Sequence, residues 1–265
     1  MSIDVKMAWR NIWRNPRRTI LTICAIAFAS LLLVFMLSFQ FGSYETMINT
    51  SVKIQTGHLQ IQADGYLDKK SIRLVVPDPA RIAKLLAKIP KVAAYAFRGQ
   101  AFSLVSSKQR TYGVVVTGID PEREANVSRL KSLIRQGEFL SEEDTDQALV
   151  GKLLARNLRV SLGDELTVVG QGHDGSIAAT VTKVKGIFSS GIAEFDRASI
   201  HIPLKTFQEI YSMQGAVHEV VVIADSLGDI DKIKRSIKAD VAALNLKKPL
   251  TILDWNELMP GLRQS

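Results

Sequence analysis

The sequence predicts an α+β chain held to a membrane by one N-terminal helix, and three observations carry that prediction. Thr19 to Tyr44 run without a charge; Lys6, Arg10, Arg14, Arg17 and Arg18 crowd the side before them; and from His58 onward strict alternation of apolar and polar residues is interspersed with helix-spaced apolar faces. A spanning helix needs roughly 20 mostly apolar residues. Ile20, Leu21, Ile23, Ile26, Phe28, Leu31, Leu32, Leu33, Val34, Phe35, Leu37 and Phe39 supply them, and together they favour insertion by about 4 to 7 kcal/mol. A cleaved signal peptide would carry a shorter apolar region ending at a small-x-small site. Here Ala25-Ile26-Ala27 lies in the middle of the run, and Phe39-Gln40-Phe41-Gly42-Ser43-Tyr44 follows it.

The first 16 residues read as a helix on the membrane surface. At 100° per residue Val5, Trp9, Ile12 and Trp13 share one face, with Lys6, Arg10 and Arg14 on the other. Trp9 and Trp13 would sit at headgroup level, with Arg10, Arg14, Arg17 and Arg18 meeting anionic lipid. Asn15-Pro16 then punctuates, since Asn caps a helix and Pro suits its first position. Basic residues close to a span stay cytoplasmic, so the N-terminus is expected in the cytosol and the bulk of the chain on the opposite face.

Beyond the span, His58 to Ala63 alternates as a half-buried strand, and Asp78-Pro79 caps a helix carrying Ile82, Leu85, Leu86 and Ile89. Ala94 to Val105 and Thr111 to Gly118 are extended around the turn Ser106 to Gln109. Val127, Leu130, Leu133 and Ile134 have the spacing of a helix stopped by Gly137. Ala148 to Val150 is a short strand, Leu153, Leu154 and Leu158 mark a helix, and Leu166 to Val169 and Ile177 to Phe188 form a hairpin about the loop Gly170-Gln171-Gly172-His173-Asp174-Gly175. Ala198 to Ile202 is a further strand before Pro203. Glu219 to Ala224 is a strand, and Asp229 opens a helix with Ile230, Ile233, Ile237, Val241 and Leu244 on one side. The order of Asp78 to Tyr95 recurs at Asp229 to Leu244, as in two similar units flanking an insert. The expected division is 1–15 surface helix, 16–48 membrane helix and start of a stalk, 49–125 and 211–250 the two parts of one subdomain, 126–210 an inserted β-rich subdomain, and 251–265 a return toward the membrane.

Half of the +8 net charge lies in the first 18 residues, so the remainder lacks the clustered basic face that nucleic acid requires. The single cysteine, Cys24, lies inside the apolar run, which leaves the external region without a disulfide. His58, His173, His201 and His218 are scattered without metal-ligand spacing, and neither G-x-S-x-G nor G-x-x-x-x-G-K-[ST] occurs. Gly170-Gln171-Gly172 precedes a strand instead of a helix, so it is no nucleotide cradle. Glu142, Glu143 and Asp144 read as solvated loop charges. No catalytic, cofactor or metal residue is therefore expected.

The run Ala8-Trp9-Arg10-Asn11-Ile12-Trp13-Arg14-Asn15-Pro16-Arg17-Arg18-Thr19-Ile20-Leu21-Thr22 resembles the start of MacB/FtsX-like ABC transporter permeases. The likeness continues through Gly57 to Ile61, Gly137 to Leu140, Gly151 to Ala155, Leu162 to Glu165, Lys185 to Phe188 and Trp255 to Leu258. It implies an inner-membrane permease whose external domain, made of porter and sabre subdomains, lies between its first two spans. It also implies a separate ATPase subunit that binds ATP and a second permease copy or paralogue. Such permeases carry three further spans after the external domain, so the chain reads as truncated, with Trp255 to Pro260 turning back toward a missing second span. Ser51 to Tyr66 most resembles the lipoprotein-releasing (LolC/LolE-like) members, which implies a periplasmic lipoprotein carrier or adaptor as partner and Gly170 to Gly175 as its contact. That hairpin is short and lacks proline, which keeps MacB-like efflux or mechanotransmission as the alternative, beside a periplasmic signalling module on a single anchor.

Overall fold

Helix α1 (Ile3–Ile12) gives way to a turn, and α2 (Pro16–Val52) starts on the proline, as the cap chemistry predicts. Thr19 Oγ1 donates to the Ile12 carbonyl and Thr22 Oγ1 to the Arg18 carbonyl, which satisfies both hydroxyls locally. The 37 residues of α2 span about 55 Å, and the apolar side chains of the uncharged run stay exposed along its length. It is long and apolar enough to cross a membrane. The computed structural model describes residues 3–54, 56–244, 246 and 248–260, and the chain divides into a unit Met1–Asn49 and a unit Thr50–Ser265.

The second unit contains an open sheet and a closed one, joined by one strand. The open sheet is built from β1 (Leu59–Ala63), β2 (Val92–Ser106), β9 (Glu219–Ala224) and β10 (Leu250–Asp254), in the order β10-β1-β9-β2 with every pair antiparallel. Helix α4 (Pro79–Leu86) connects β1 to β2, and α9 (Ile230–Ala243) connects β9 to β10. The result is two interleaved split β-α-β units, the geometry behind the repeat seen in the sequence. Asp78 Oδ1 accepts from the Arg81 N–H and starts α4. Ile82 and Leu86 of α4 meet Ile230, Ile233, Ile237 and Val241 of α9 over Leu59, Ile61, Val220, Val222 and Ile252 of the sheet.

The closed sheet takes over the second half of β2. Residues Arg98–Ser106 of β2 pair with β3 (Thr111–Ile119) on one side, and Ser103–Ser106 pair with β6 (Glu165–Gln171) on the other. β3 pairs in parallel with β8 (Ser199–Pro203), which pairs with β5 (Gln147–Gly151). β5 runs parallel to β7 (Ile177–Phe188), and β7 returns antiparallel to β6. The ring β2-β3-β8-β5-β7-β6 therefore closes as a six-stranded barrel, and β4 (Ile134–Gly137) extends it beside β7. Val105, Val114, Val116, Val150, Leu166, Val168, Val184, Ile200 and Ile202 fill the interior, with α6 (Lys152–Leu158) and α8 (Leu204–Ile210) packed on it. The paired glycines Gly99 and Gly118 make room for Phe207 of α8, because a Cβ at either would lie 2.3–2.4 Å from that side chain. Shorter helices α3 (Tyr66–Lys69), α5 (Pro121–Val127), α7 (Ala193–Ala198) and α10 (Trp255–Leu258) occupy the connections.

Four expectations change. The helix expected over Val127 to Ile134 is instead the end of α5, a 3-10 turn Leu130–Leu133 and the strand β4, because Ser128 is extended and breaks the run. The i, i+3 spacing of its apolar residues suits a 3-10 turn as well as an α-helix. β1 is buried on both faces instead of one: β9 and β10 flank it, and its polar face is closed by Gln60, whose side chain donates to the Thr56 carbonyl and accepts from Gln62. Part of the stretch expected to return toward the membrane forms β10 and α10, the latter fixed by a capping box of Asp254 and Glu257; residues 261–265 lie outside the described residues. The start of the expected insert, residue 126, falls within α5, whereas the pairing that closes the barrel begins in β2 and β3. Strand pairing across long separations is invisible to local spacing.

Candidate functional site

The outer wall of the barrel, which a soluble protein would make polar, is apolar over four adjacent strands. Alternation along β2 places Ala101, Ser103 and Val105 inward and Phe102 and Leu104 outward. Phe102 is 72% exposed, and its ring lies over Gly113 of β3, where a Cβ would approach it to 2.8 Å. Across the strands Phe102 stands opposite Val115, and Leu104 stands in line with Val169 and Ala179. Ile177, 83% exposed, and Val181 continue the row on β7. These residues form one stripe across β3, β2, β6 and β7, about 14 Å wide at the usual strand spacing. Contiguous exposed apolar surface of this kind marks a binding face for another apolar surface.

The turn at the end of the hairpin is tied down. Gly170 and Gln171, read from the sequence as loop, belong to β6, where Gly170 packs against Ser103 and Tyr211. The remaining residues form a tight turn: the Gly172 N–H donates to the Ser176 carbonyl at 2.8 Å, and Asp174 Oδ1 accepts from the Ser176 N–H and hydroxyl. These hydrogen bonds hold the Asp174 carboxyl below the usual range. Gly175 has φ +90°, a value that requires glycine. The His173 N–H donates to the Tyr211 carbonyl at 2.8 Å, fastening the turn to the end of α8.

At the junction of the two sheets lies a buried ion pair. Arg98 of β2 grips Glu124 of α5 through Nε at 3.0 Å and Nη2 at 2.6 Å. Burial opposes the charge on Glu124, but Arg98 outweighs it and keeps the carboxyl below its ordinary range. Glu219 accepts from Gln100 Nε2 at 3.2 Å and pairs with Lys70 at 3.4 Å. Three of the four histidines are built into the framework. His58 Nδ1 accepts from the Ala224 N–H and His218 Nδ1 from the Gln100 N–H, while His201 packs edge-on against Phe188 and Phe195. Burial lowers all three to about 4. Among the described residues no group of His, Cys, Asp and Glu could hold a metal ion.

In the N-terminal unit Trp9 of α1 and Trp13 just after it are brought together, ring centroids 6.2 Å apart at 62°. Arg10 and Arg14 flank them and Arg17 and Arg18 open α2, all exposed. The stripe and the junction were not read from the sequence. The signal available was the run Ala101-Phe102-Ser103-Leu104-Val105, apolar on both faces where a barrel strand with a wet exterior would alternate.

The chain from 19 to 240 matches the family described as MacB-like periplasmic core domain. Among solved structures it is similar to the periplasmic region of MacB from Actinobacillus actinomycetemcomitans, with TM-score 0.58 at 14% identity over 80% of this chain and 95% of that one. It is also similar to the extracellular domain of the noncanonic ABC-type transporter YknZ from Gram-positive bacteria, with TM-score 0.54 at 12% identity over 76% and 100%. At such identities the likeness is one of fold. Among curated proteins no sequence matches.

Proposed function

This chain belongs to the family of MacB-like periplasmic core domains of ABC transporter permeases, and we propose, from the likeness of Ser51 to Tyr66 to the lipoprotein-releasing members, that it releases acylated proteins from the inner membrane. In this reading α2 crosses the bilayer with Arg10, Arg14, Arg17 and Arg18 on the cytosolic side, and the unit from Thr50 onward stands in the periplasm. A separate ATPase supplies the energy, and a second permease copy or paralogue completes the pathway. Closure of the ATPase moves the spanning helix, which runs unbroken to Val52 and so acts as a rod.

The observation that carries the reading is the apolar stripe of Phe102, Leu104, Val115, Val169, Ile177 and Val181, which offers acyl chains a surface outside the bilayer. The experiment is release of an acylated protein from proteoliposomes holding the chain with its ATPase and permease partners. Phe102→Asn combined with Ile177→Asn removes two apolar side chains from the stripe, each worth about 1.5–3 kcal/mol when covered. Release should fall more than about tenfold with ATP hydrolysis retained. Unchanged release by the double variant, or none by the wild type, overturns the reading.

One observation favours a second reading, mechanotransmission in MacB-like efflux. The turn Gly172 to Ser176 is short and hydrogen-bonded to itself and to Tyr211, leaving no extended hook to hold a soluble carrier.

A further inference from the structure

The stripe does not end at Phe102 and Val115; it runs into a cavity of about 330 Å³ with mixed polar and apolar lining at the junction of the two sheets. Two residues back along the same outward face, Gln100 of β2 and Thr117 of β3 stand in its floor, next to Ser199 and His201 of β8. Val115 lines the cavity and also belongs to the stripe. Ile54, Leu67, Leu130, Phe195 and Leu258 make its apolar walls.

The polar groups in this cavity are of two kinds. The charged ones are matched: Arg98 holds Glu124 and Lys70 holds Glu219, so the four contribute no net charge. Of the uncharged ones, Gln60 and Gln100 are matched within the framework. Thr117, Ser199 and His201 are 7%, 6% and 6% exposed and line the cavity together, and His201 Nδ1 is buried without a hydrogen-bond partner. Buried polar side chains are ordinarily hydrogen-bonded, and an unpartnered imidazole beside two hydroxyls that line the same cavity points to a ligand that completes them. Burial holds the His201 imidazole neutral, which leaves it one N–H donor and one acceptor. A free phosphate would need a cation to spare, and the cations here are engaged. Ester and amide carbonyls accept from hydroxyl and imidazole donors without bringing charge.

We propose that the junction cavity binds the uncharged ester and amide linkage region of an acylated ligand, with its acyl chains laid along the stripe from Val115 and Phe102 to Ile177. This rests on the acylated-protein reading above and names the part of that ligand the cavity recognises. Thr117 and Ser199 donate to its carbonyls, and His201 supplies the third contact.

The test places the full chain in phosphatidylcholine nanodiscs containing a diacylglycerol with a photoactivatable group beside its ester, and maps the adducts by mass spectrometry. Adducts should fall on β3 and β8 near Thr117 and Ser199. Thr117→Val with Ser199→Ala should lower their yield about tenfold, the loss of two hydrogen bonds. Thr117→Ser, which keeps the hydroxyl, should retain it and shows that the site still folds. Equal or stronger labelling by a phosphatidic acid of the same chains would make this an anion site and overturn the proposal. Labelling insensitive to the double substitution would mean that water alone fills the cavity, with the same consequence. Loss of release by the stripe variant, with cavity labelling intact in the wild type, supports both readings. Cavity labelling without release by the wild type removes only the transport reading.

Discussion

The open sheet and the barrel share β2, yet they spend apolar residues differently. In the open sheet α4 and α9 cover one face, and the apolar residues of β1 and β9 go into the core beneath them. In the barrel the interior alone would account for the core, and β2, β3, β6 and β7 carry a second apolar set on the outside. The first region is an economical framework, whereas the second holds surface that its own stability does not use. That surplus is where a binding role is to be sought, and the shared strand links it to the framework.

The strongest challenge to this comparison is to break the joint. Glu124→Ala removes the carboxylate that the buried Arg98 guanidinium grips and should cost about 3–5 kcal/mol. Urea denaturation followed by tryptophan fluorescence and by far-UV circular dichroism checks it. Coincident loss by both probes means that the two regions unfold together, while a separated first transition means that the joint holds two independent folds.

Acid is the next lever. His201 has a folded value of about 4 against an ordinary 6.5, so the folded state holds fewer protons than the unfolded one across that interval. Its contribution is fully present above about pH 6.5 and is lost as the pH falls through 4, amounting to about 3 kcal/mol at the limit. His201→Leu should flatten the acid limb of a stability profile between pH 6.5 and 4. An unchanged slope would assign the acid sensitivity to His58 and His218 on the open-sheet side.

The smallest change tests the barrel's filling. Gly118→Ala places a methyl 2.4 Å from the Phe207 Cβ and should destabilise by about 1–3 kcal/mol through overpacking. The same substitution at Gly65, where a Cβ meets nothing within 4 Å but φ is +74°, should cost less, since only backbone strain opposes it. Thermal melts compare the two, and a loss at Gly118 no larger than that at Gly65 would show that Phe207 shifts to admit the methyl.

Much of the fold was legible where the determinants are local. Asn15-Pro16, Asp78-Pro79 and the alternation from Leu166 to Phe188 fixed helix starts and a hairpin, because caps and strand alternation act within a few residues. The 3-10 turn at Leu130 to Leu133 was misread because its spacing is shared with an α-helix. β10 was missed because Leu250 to Asp254 becomes a strand by pairing with β1, nearly the whole external region away in sequence. Of the candidate site, the basic and indole residues before α2 were proposed for a membrane interface from composition alone. The stripe and cavity were not, since β2, β6 and β8 come together only on barrel closure.

Composition by itself determined the long apolar helix, its basic flank and the single cysteine, because the apolarity of a run depends on that run alone. Which of two apolar faces on Ala101 to Val105 is buried, and whether Thr117, Ser199 and His201 share a cavity, only the tertiary structure decided. Those outcomes depend on which distant strands supply the neighbouring hydrogen bonds, and a free energy shared among distant partners is not encoded in any one segment.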